Sequence, residues 1–282
     1  MLVSPAALTL EELALFNELF VARFGLCFPE HKRQILASRL EPRLRAHHLT
    51  RFLDYYLLLH YDFDGERDDL IRSITNNESY FFRETAQFEA LANEAAVALR
   101  AGGPRPGSLR FLSAGCSSGE EPYTLRIYDC ERRFGLGTAA EIDAVDIDPE
   151  RIELARQARY RASSLRTLDE ARVGRYFHPD GARGGVRGVL LRQPFRDGVG
   201  FRRGNLVDRS SLPREPYDAV FCRNVLIYFS ESALKRTVDN FATLVRPGGL
   251  LFLGHAESII GMTRAFHAER LGATIAYRRE PT

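Results

Sequence analysis

A turn with two glycines, Gly115 and Gly119, follows a short apolar run and leads into a helical pattern. Glycine lets the backbone approach a ligand closely, and such turns lie beyond the carboxyl ends of strands in doubly wound folds, where nucleotide-like ligands bind. The turn is not Gly-x-Gly-x-x-Gly, and it lacks the lysine of a phosphate-binding loop. Taken alone, it suits a ligand-free strand-to-helix connection equally well.

Carboxylates flank this turn and narrow the choice of ligand. Glu120 and Glu121 open the helix, where they would also interact favourably with the helix dipole. A carboxylate beside a glycine turn suits the ammonium and sulfonium of S-adenosylmethionine better than the pyrophosphate of a dinucleotide. Asp146 ends the second strand, where this architecture holds ribose hydroxyls, and Asp148 is expected to cap the next helix. These residues predict a nucleoside-binding Rossmann-like domain and leave methyltransferase and dehydrogenase open.

Three further segments place polar side chains among apolar ones. The first, residues 75–84, lies between two helical patterns and contains Arg83; it would also suit an inter-helix turn with aromatic anchors. In the second, Arg223 and Asn224 interrupt an apolar stretch, so either a ligand or an internal polar network is expected to satisfy them. The third, residues 253–258, is another strand end on the same expected edge of the sheet.

The secondary-structure elements that must position these residues change along the chain from helices alone to alternating strands and helices. Helical spacing predicts helices over 8–23 and 31–46, two shorter ones capped by Thr50 and Asp64, and a longer one capped by Thr85 with Phe88, Leu91, Ala95 and Leu99 on one face. The breaker-rich segment 101–107 then reads as a linker. Strands are predicted at 109–113, 141–145, 217–221, 249–253 and 274–277, with a helix from Pro149. Alternating strands and helices indicate an α/β fold with a parallel, doubly wound sheet.

One region departs from that alternation. Between residues 175 and 204, short β-like runs at 186–191 and 199–201 are separated by Gly, Pro and Asp. We expect a small antiparallel β-subdomain inserted at about 175–204.

Composition sets the broad class. The chain has 282 residues, 45% of them hydrophobic and 27% charged, with a net charge of +2, which is ordinary for a globular protein. No apolar run approaches the roughly 20 residues of a membrane span, and the first residues lack a secretory pattern, so a cytoplasmic location is expected. The four cysteines are scattered and form no Cys-x-x-Cys pair, so the sequence indicates neither a disulfide framework nor a zinc site.

Together these segments resemble the chemotaxis receptor methyltransferase family, CheR. The resemblance spans nearly the whole chain, in motifs at residues 77–84, 117–123, 146–148, 221–229 and 254–258. It implies a Rossmann-like class I methyltransferase sheet with a small antiparallel β-subdomain, preceded by a small all-α domain. The implied domains are a helical N-terminal domain over 1–84, a connecting helix and linker over 85–107, and the methyltransferase domain over 108–282.

The resemblance also implies which residues contact S-adenosyl-L-methionine. Glu121 would face the methionine end, Asp146 the ribose, and Tyr228 the reactive sulfonium. Gly115 would allow close approach of the backbone, although Cys116 departs from the more glycine-rich loop of methyltransferases in general. The other implied contacts are Asn77, Ser79 and Arg83 from the interdomain segment, Asn205 and Leu206 beside the adenine, and Arg223 and Asn224 at the fourth strand end.

The implied reaction is methyl transfer to glutamate side chains of chemoreceptors, giving glutamyl methyl esters and S-adenosyl-L-homocysteine. Glutamate is already ionised at neutral pH, so no general base is needed. Arg83 is the candidate for orienting the carboxylate, and Tyr228 for shaping the methyl site. A basic stripe of Lys32, Arg39 and Arg43 could dock the acidic helical bundle of the receptor, although such a stripe is commonly only a solvated face.

Alternatives remain at this stage. The enzyme could methylate RNA or a small molecule, or a protein outside chemotaxis, or the chain could be a non-catalytic scaffold that binds the cofactor or a receptor. We expect a monomer that neither binds nucleic acid nor inserts into the membrane.

Overall fold

The structure, a computed structural model, describes residues 7–95, 99, 109–132, 134, 139–181 and 188–281. These residues form two compact units. The helical unit comprises Met1–Asn76 with Tyr228–Arg236, and the sheet unit comprises Asn77–Ile227 with Thr237–Thr282. The expected linker at 101–107 lies outside the described residues.

The helical unit begins with a well-capped helix. The Thr9 hydroxyl accepts from the Glu12 backbone N–H, and the Glu12 carboxylate accepts from the Thr9 N–H, so both free N–H groups are satisfied. Gly25 ends this helix in the left-handed conformation, with φ of 81°. The helices are α1 (Leu10–Phe24), α2 (Arg33–Ala46), α3 (Phe52–Tyr61) and α4 (Phe63–Ile74).

The two predicted caps in this unit were wrong. Arg51 precedes α3 without capping it through its side chain, and Asp62 caps α4 by accepting from the Gly65 N–H at 3.2 Å. Asp62 precedes the first helical residue, whereas Asp64 lies inside the first turn and stabilises it only through the helix dipole.

The sheet unit is built on a seven-stranded sheet in the order β6-β2-β1-β7-β8-β10-β9. The pairs β6–β2, β2–β1, β1–β7 and β7–β8 are parallel, whereas β10 runs antiparallel to both β8 and β9. Its strands are β1 (Arg110–Ala114), β2 (Glu141–Asp146), β6 (Val199–Arg203), β7 (Tyr217–Cys222), β8 (Val245–Leu253), β9 (Phe266–Leu271) and β10 (Thr274–Arg279).

Helices connect these strands, and stacked aromatic rings form part of the core. Phe221 of β7 stacks against Phe88 and Phe252 at centroid distances of 5.5 and 4.6 Å. The predicted helix is observed and continues as a π-helical turn over Leu91–Ala95, but its predicted cap was wrong: Thr85 is the first helical residue, and Glu84 precedes it without a side-chain capping bond. The helices are α5 (Thr85–Ala90), α6 (Glu120–Arg132), α7 (Pro149–Gln157), α8 (Glu170–Tyr176) and α9 (Glu231–Leu244), the last divided between the two units.

A separate three-stranded antiparallel sheet has the order β3-β5-β4, with strands β3 (Arg159–Tyr160), β4 (Phe177–Asp180) and β5 (Gly188–Leu191). The fold class is therefore as predicted. One detail was wrong: the run at 199–201 is not in this small sheet but in β6, which pairs in parallel with β2. Residue 186 and the other residues of 182–187 lie outside the described residues. Among the described residues, no helix is long and apolar enough to cross a membrane.

Candidate functional site

The order of the parallel strands reverses at β1, which lies between β2 and β7. Ligands of doubly wound sheets bind beyond the carboxyl ends of the strands at such a point. Gly115 follows β1 with φ of 83°, and a Cβ there would lie 2.4 Å from Cγ2 of Val225. Glycine is therefore required, because the loop after β7 packs directly against the loop after β1.

Asp146, at the end of β2, holds the β1 loop in place. Its carboxylate accepts from the backbone N–H groups of Ser117 at 2.7 Å and Asp148 at 2.9 Å. Burial raises the pKa of Asp146 to about 6, against the lowering effect of these hydrogen bonds. A carboxylate offers about four lone-pair sites, so it can still accept from ribose hydroxyls.

Asn77 lies at the same strand end. Its side-chain Nδ2 donates to Oδ2 of Asp148 at 3.2 Å, and its backbone carbonyl accepts from the Ser117 hydroxyl at 3.2 Å. Asp148 also caps α7, as predicted, by accepting from the N–H groups of Glu150 and Arg151. The structure thus brings Asn77, predicted from the interdomain segment, to the loop that Asp146 organises.

A buried charge cluster links the start of α6 and the loop after β7 with the segment that precedes Thr85. The Arg223 side chain is 2% exposed, with Nη1 lying 3.5 Å from Oε2 of Glu121 and Nε lying 3.7 Å from Oε2 of Glu84. Its Nη2 donates to the carbonyl of Arg83. Burial raises the pKa of Glu121, opposed by Arg223 and by a hydrogen bond from Ser113.

Glu84 behaves differently within this cluster. Burial acts to raise the pKa of Glu84, but a hydrogen bond with His255 and the charge of Arg223 bring it below its ordinary value. Glu84 is therefore the carboxylate of the cluster that most favours ionisation, whereas Glu121 would gain from a further cation.

The loop that carries Arg223 and Asn224 is tightly constrained. Asn224 adopts a left-handed conformation with φ of 60°. The carboxylate of Glu257 accepts from the backbone N–H groups of Asn224, Val225, Leu226 and Ile227 in this loop, and from that of Gly254. We did not predict a role for Glu257, although it belongs to the motif at 254–258.

Asn205 and Leu206 follow β6, the neighbour of β2. The backbone N–H of Gly204 donates to the Asp146 carbonyl at 2.9 Å, which anchors this segment to the end of β2. The Asn205 side chain accepts from the Val207 N–H, and the Leu206 carbonyl accepts from Asn240. These bonds fix the segment at the end of β2; its contact with adenine stays a prediction from the resemblance.

Arg83 makes its side-chain contacts within its own segment. Its Nη1 donates to the Glu78 carbonyl at 3.1 Å, and its guanidinium lies 5.5 Å from the centre of the Tyr80 ring. Ser79, between these residues, is half-buried.

Tyr228 belongs to the helical unit and is described there. Its hydroxyl accepts from the Asn76 amide at 2.6 Å, its carbonyl accepts from the Cys27 N–H, and the Lys32 ammonium lies 5.7 Å from its ring centre. The assignment of Tyr228 to the methyl site therefore stays a prediction from the resemblance.

The basic stripe is partly engaged inside the helical unit. Arg39 donates to the Ile74 carbonyl at 2.6 Å. Arg43 pairs with the buried carboxylate of Glu66 at 2.6 Å and with Asp69 at 2.8 Å. Docking by these side chains stays a prediction, but Arg43 already has a structural role.

The strand-end residues fit S-adenosylmethionine. Asn224 Oδ1 is buried, as are Nε and Nη1 of Arg223, and none has a hydrogen-bond partner within the part of the chain that the structure describes. The two Arg223 atoms face Glu84 and Glu121 at ion-pair distance, so of these three atoms Asn224 Oδ1 is the one that most needs a donor from a ligand. The half-buried carboxylate of Glu121 and the buried carboxylate of Asp146 supply the acceptors that a cationic amino acid end and ribose hydroxyls require.

The fold and this site define a Rossmann-like, S-adenosylmethionine-dependent methyltransferase. Residues 77–275 match the family described as CheR methyltransferase, SAM binding domain, and residues 11–75 match CheR methyltransferase, all-alpha domain. The chain belongs to the CheR methyltransferase family, as its motifs predicted.

Similar proteins include the chemotaxis protein methyltransferase of Escherichia coli, which is 36% identical over 89% of this chain and 85% of that protein. Chemotaxis protein methyltransferase 2 of Vibrio cholerae is 34% identical over 93% of this chain and 90% of that protein. Among solved structures, N-methyltransferase NodS from Bradyrhizobium japonicum with S-adenosyl-L-homocysteine is 15% identical, covering 73% of this chain and 90% of that chain at a TM-score of 0.41.

Proposed function

We propose that this protein methylates glutamate side chains of chemoreceptors. The main support is the extent of the relationship: two CheR domain families match in order over 11–75 and 77–275, and relatives named chemotaxis protein methyltransferase align over about nine-tenths of the chain. The buried charge cluster at the strand ends, with Arg223 between Glu84 and Glu121, gives the site a polarity suited to a cationic methyl donor and an anionic acceptor.

When bound, S-adenosylmethionine supplies a methyl group on a positively charged sulfur. A glutamate oxygen bonds to the methyl carbon as the carbon–sulfur bond breaks, leaving a methyl ester and S-adenosylhomocysteine. The acceptor is ionised at neutral pH, so the protein's task is alignment and desolvation of the carboxylate.

Four residues have a proposed part in that alignment. Glu121 balances the cationic end of the donor, and Asp146 accepts from the ribose hydroxyls. Arg83 orients the incoming glutamate, and Tyr228 shapes the methyl site. The proposed remaining cofactor contacts are Asn77, Ser79, Gly115, Asn205, Leu206, Arg223 and Asn224.

We propose that the segments divide the work as follows. Residues 1–84 dock the substrate and add to the cofactor site, residues 85–107 connect, and residues 108–282 hold the methyltransferase sheet with the β-subdomain. The partner is the cytoplasmic helical bundle of a chemoreceptor. The methyltransferase binds it in the cytoplasm as a monomer. If Lys32, Arg39 and Arg43 steer that bundle, raising salt will weaken receptor binding and methylation together.

Peptide mapping of a methylated receptor tests the proposed acceptor. Incubation with S-adenosylmethionine should place methyl groups on glutamates of the receptor's cytoplasmic helices. Methyl groups found on lysine or arginine nitrogen instead would overturn the proposal. Methylation confined to a protein outside chemotaxis would favour a second function within the same family, and binding of S-adenosylmethionine without turnover would favour a scaffold.

A further inference from the structure

The carboxylate of Glu257 is surrounded by backbone donors. Oε2 accepts from the N–H groups of Gly254 at 2.7 Å and Asn224 at 2.8 Å. Oε1 accepts from Val225 at 2.9 Å, Leu226 at 2.7 Å and Ile227 at 3.3 Å. One side chain at the end of β8 thus binds four consecutive N–H groups of the loop after β7.

The local geometry depends on this arrangement. The loop leads into a 3₁₀ turn over Leu226–Tyr228, whose first N–H groups have no partner within the turn itself. Hydrogen bonds donated to a carboxylate are roughly twice as strong as those donated to a neutral acceptor, so Glu257 opposes the cost of the left-handed conformation at Asn224.

Two glycines show how closely the loop is held. A Cβ at Gly254 would lie 2.7 Å from the side-chain Nδ2 of Asn224 and 2.8 Å from Oε2 of Glu257. A Cβ at Gly115 would lie 2.4 Å from the Val225 side chain. The loop after β7 is therefore clamped between the ends of β1 and β8, and Glu257 supplies the polar part of the clamp.

Two side chains of this loop carry buried polar atoms that lack a hydrogen-bond partner among the described residues. Arg223 and Asn224 have buried polar atoms without a hydrogen-bond partner in the described ranges. Glu257 holds the backbone of Asn224 and of the three residues after it. Arg223 directly precedes this held backbone, and its guanidinium is also fixed by the Arg83 carbonyl.

We propose that Glu257 is a positioning residue for cofactor binding: its carboxylate fixes the loop so that Arg223 and Asn224 are presented to S-adenosylmethionine. This inference rests on the proposed placement of those two residues at the cofactor. Glu257 itself need not touch the cofactor.

Three substitutions separate the effects of the Glu257 charge, the length of its side chain and a general loss of stability. Glu257→Gln keeps the size but places an NH2 group against backbone N–H donors, Glu257→Asp keeps the charge but is one methylene shorter, and Glu280→Gln is the control. Glu280 lies in the same unit, pairs with His267 and is 41% exposed on its side chain.

The experiment measures S-adenosylhomocysteine binding by calorimetry and amide hydrogen exchange of the peptide covering 223–229. Glu257→Gln should speed exchange in that peptide and weaken binding at least ten-fold, Glu257→Asp should recover part of the affinity, and Glu280→Gln should match the unsubstituted protein. Partial unfolding lowers the calorimetric stoichiometry rather than the affinity, so it does not mimic the expected result.

Wild-type affinity in Glu257→Gln, with or without faster exchange, would overturn the proposal. Unchanged exchange in the 223–229 peptide would overturn it as well. Since the assay contains no receptor, its outcome is independent of whether receptors are the substrate; failure to methylate receptors despite normal binding would count only against the proposed function.

Discussion

Nη1 of Arg223 lies 3.5 Å from Oε2 of Glu121, and the two side chains are 2% and 16% exposed. Arg223 does not fully compensate the negative charge of Glu121, because Arg223 also faces Glu84 and burial still raises the pKa of Glu121. A carboxylate in this position gains from a further positive charge, and the family's cofactor carries an ammonium and a sulfonium.

We therefore expect Glu121→Gln to weaken binding of S-adenosylmethionine about ten-fold, equivalent to about 1.4 kcal/mol, because the substitution keeps the shape and removes the charge. Calorimetric titration measures this. The control is Glu153→Gln, an exposed carboxylate on α7. Equal affinity of the Glu121 variant and the control would show that Glu121 does not face the cationic end.

Acid should weaken cofactor binding through Asp146. Its pKa is raised to about 6, and only the ionised form can accept from both ribose hydroxyls. Protonation therefore competes with the ligand: affinity is full above the pKa and is lost as pH falls through it, by about ten-fold between pH 7 and pH 5. Titration of S-adenosylhomocysteine at several pH values tests this.

Asp146→Asn provides the matched control for that profile. It should bind more weakly at pH 7, and the dependence between pH 7 and pH 5 should flatten. If the affinity of this variant still depends on pH in the same way, the titrating group is another one. Glu121 is then the first candidate, since burial raises its pKa too.

Arg43 should matter for stability. Arg43 bonds to Glu66 through Nε and Nη2, and Tyr55 and His47 also hydrogen-bond to this carboxylate. Arg43→Ala leaves a buried charge underpaired, so we expect a loss of about 3 kcal/mol in the free energy of unfolding. Arg45→Ala, in an exposed pair with Glu41, should cost no more than about 0.5 kcal/mol.

Urea denaturation of both variants measures the difference. If Arg43→Ala unfolds at the same urea concentration as Arg45→Ala, the Glu66 cluster does not stabilise the helical unit. A large loss of stability would also mean that receptor docking has to be tested at Lys32, because weaker methylation by the Arg43 variant could then reflect unfolding.

Arg83→Ala should lose most methyl transfer, at least ten-fold in kcat, because it removes the cation proposed to orient the glutamate. Arg161→Ala, an exposed arginine of the same unit, is the control. Initial rates with receptor and S-adenosylmethionine measure the effect. Near-normal receptor methylation by Arg83→Ala would remove Arg83 from the mechanism.

Much of this site was predictable because it consists of short local motifs. Asp146 and Asp148 end a strand and begin a helix within three residues, and their positions follow from alternation and capping. Arg223 stood out as a charge in an apolar stretch. Local patterns did not reveal long-range partners: β6 has the alternation of a hairpin strand, and only its pairing with β2 places it in the large sheet.

Hydrogen-bond partners that are distant in sequence also explain why the structural roles of Arg43 and Glu257 were not predicted. Helical spacing placed Arg43 on a stripe with Lys32 and Arg39, but the acceptor that engages it, Glu66, lies 23 residues away on another helix. Glu257 was part of a motif, yet its partners are backbone N–H groups about 30 residues earlier. A backbone donor carries no sequence signature, so no residue pattern could have indicated this role.

The proposal of receptor glutamate methylation is tested most directly by the chemistry of the transferred label. Receptor-containing membranes are incubated with the protein and S-adenosylmethionine carrying a radiolabelled methyl group, and the labelled receptor is then exposed to mild base. A carboxyl methyl ester hydrolyses, so label that enters the receptor and is released as volatile methanol is the predicted result. Label that stays on the receptor in base, or that never enters it, would contradict the account.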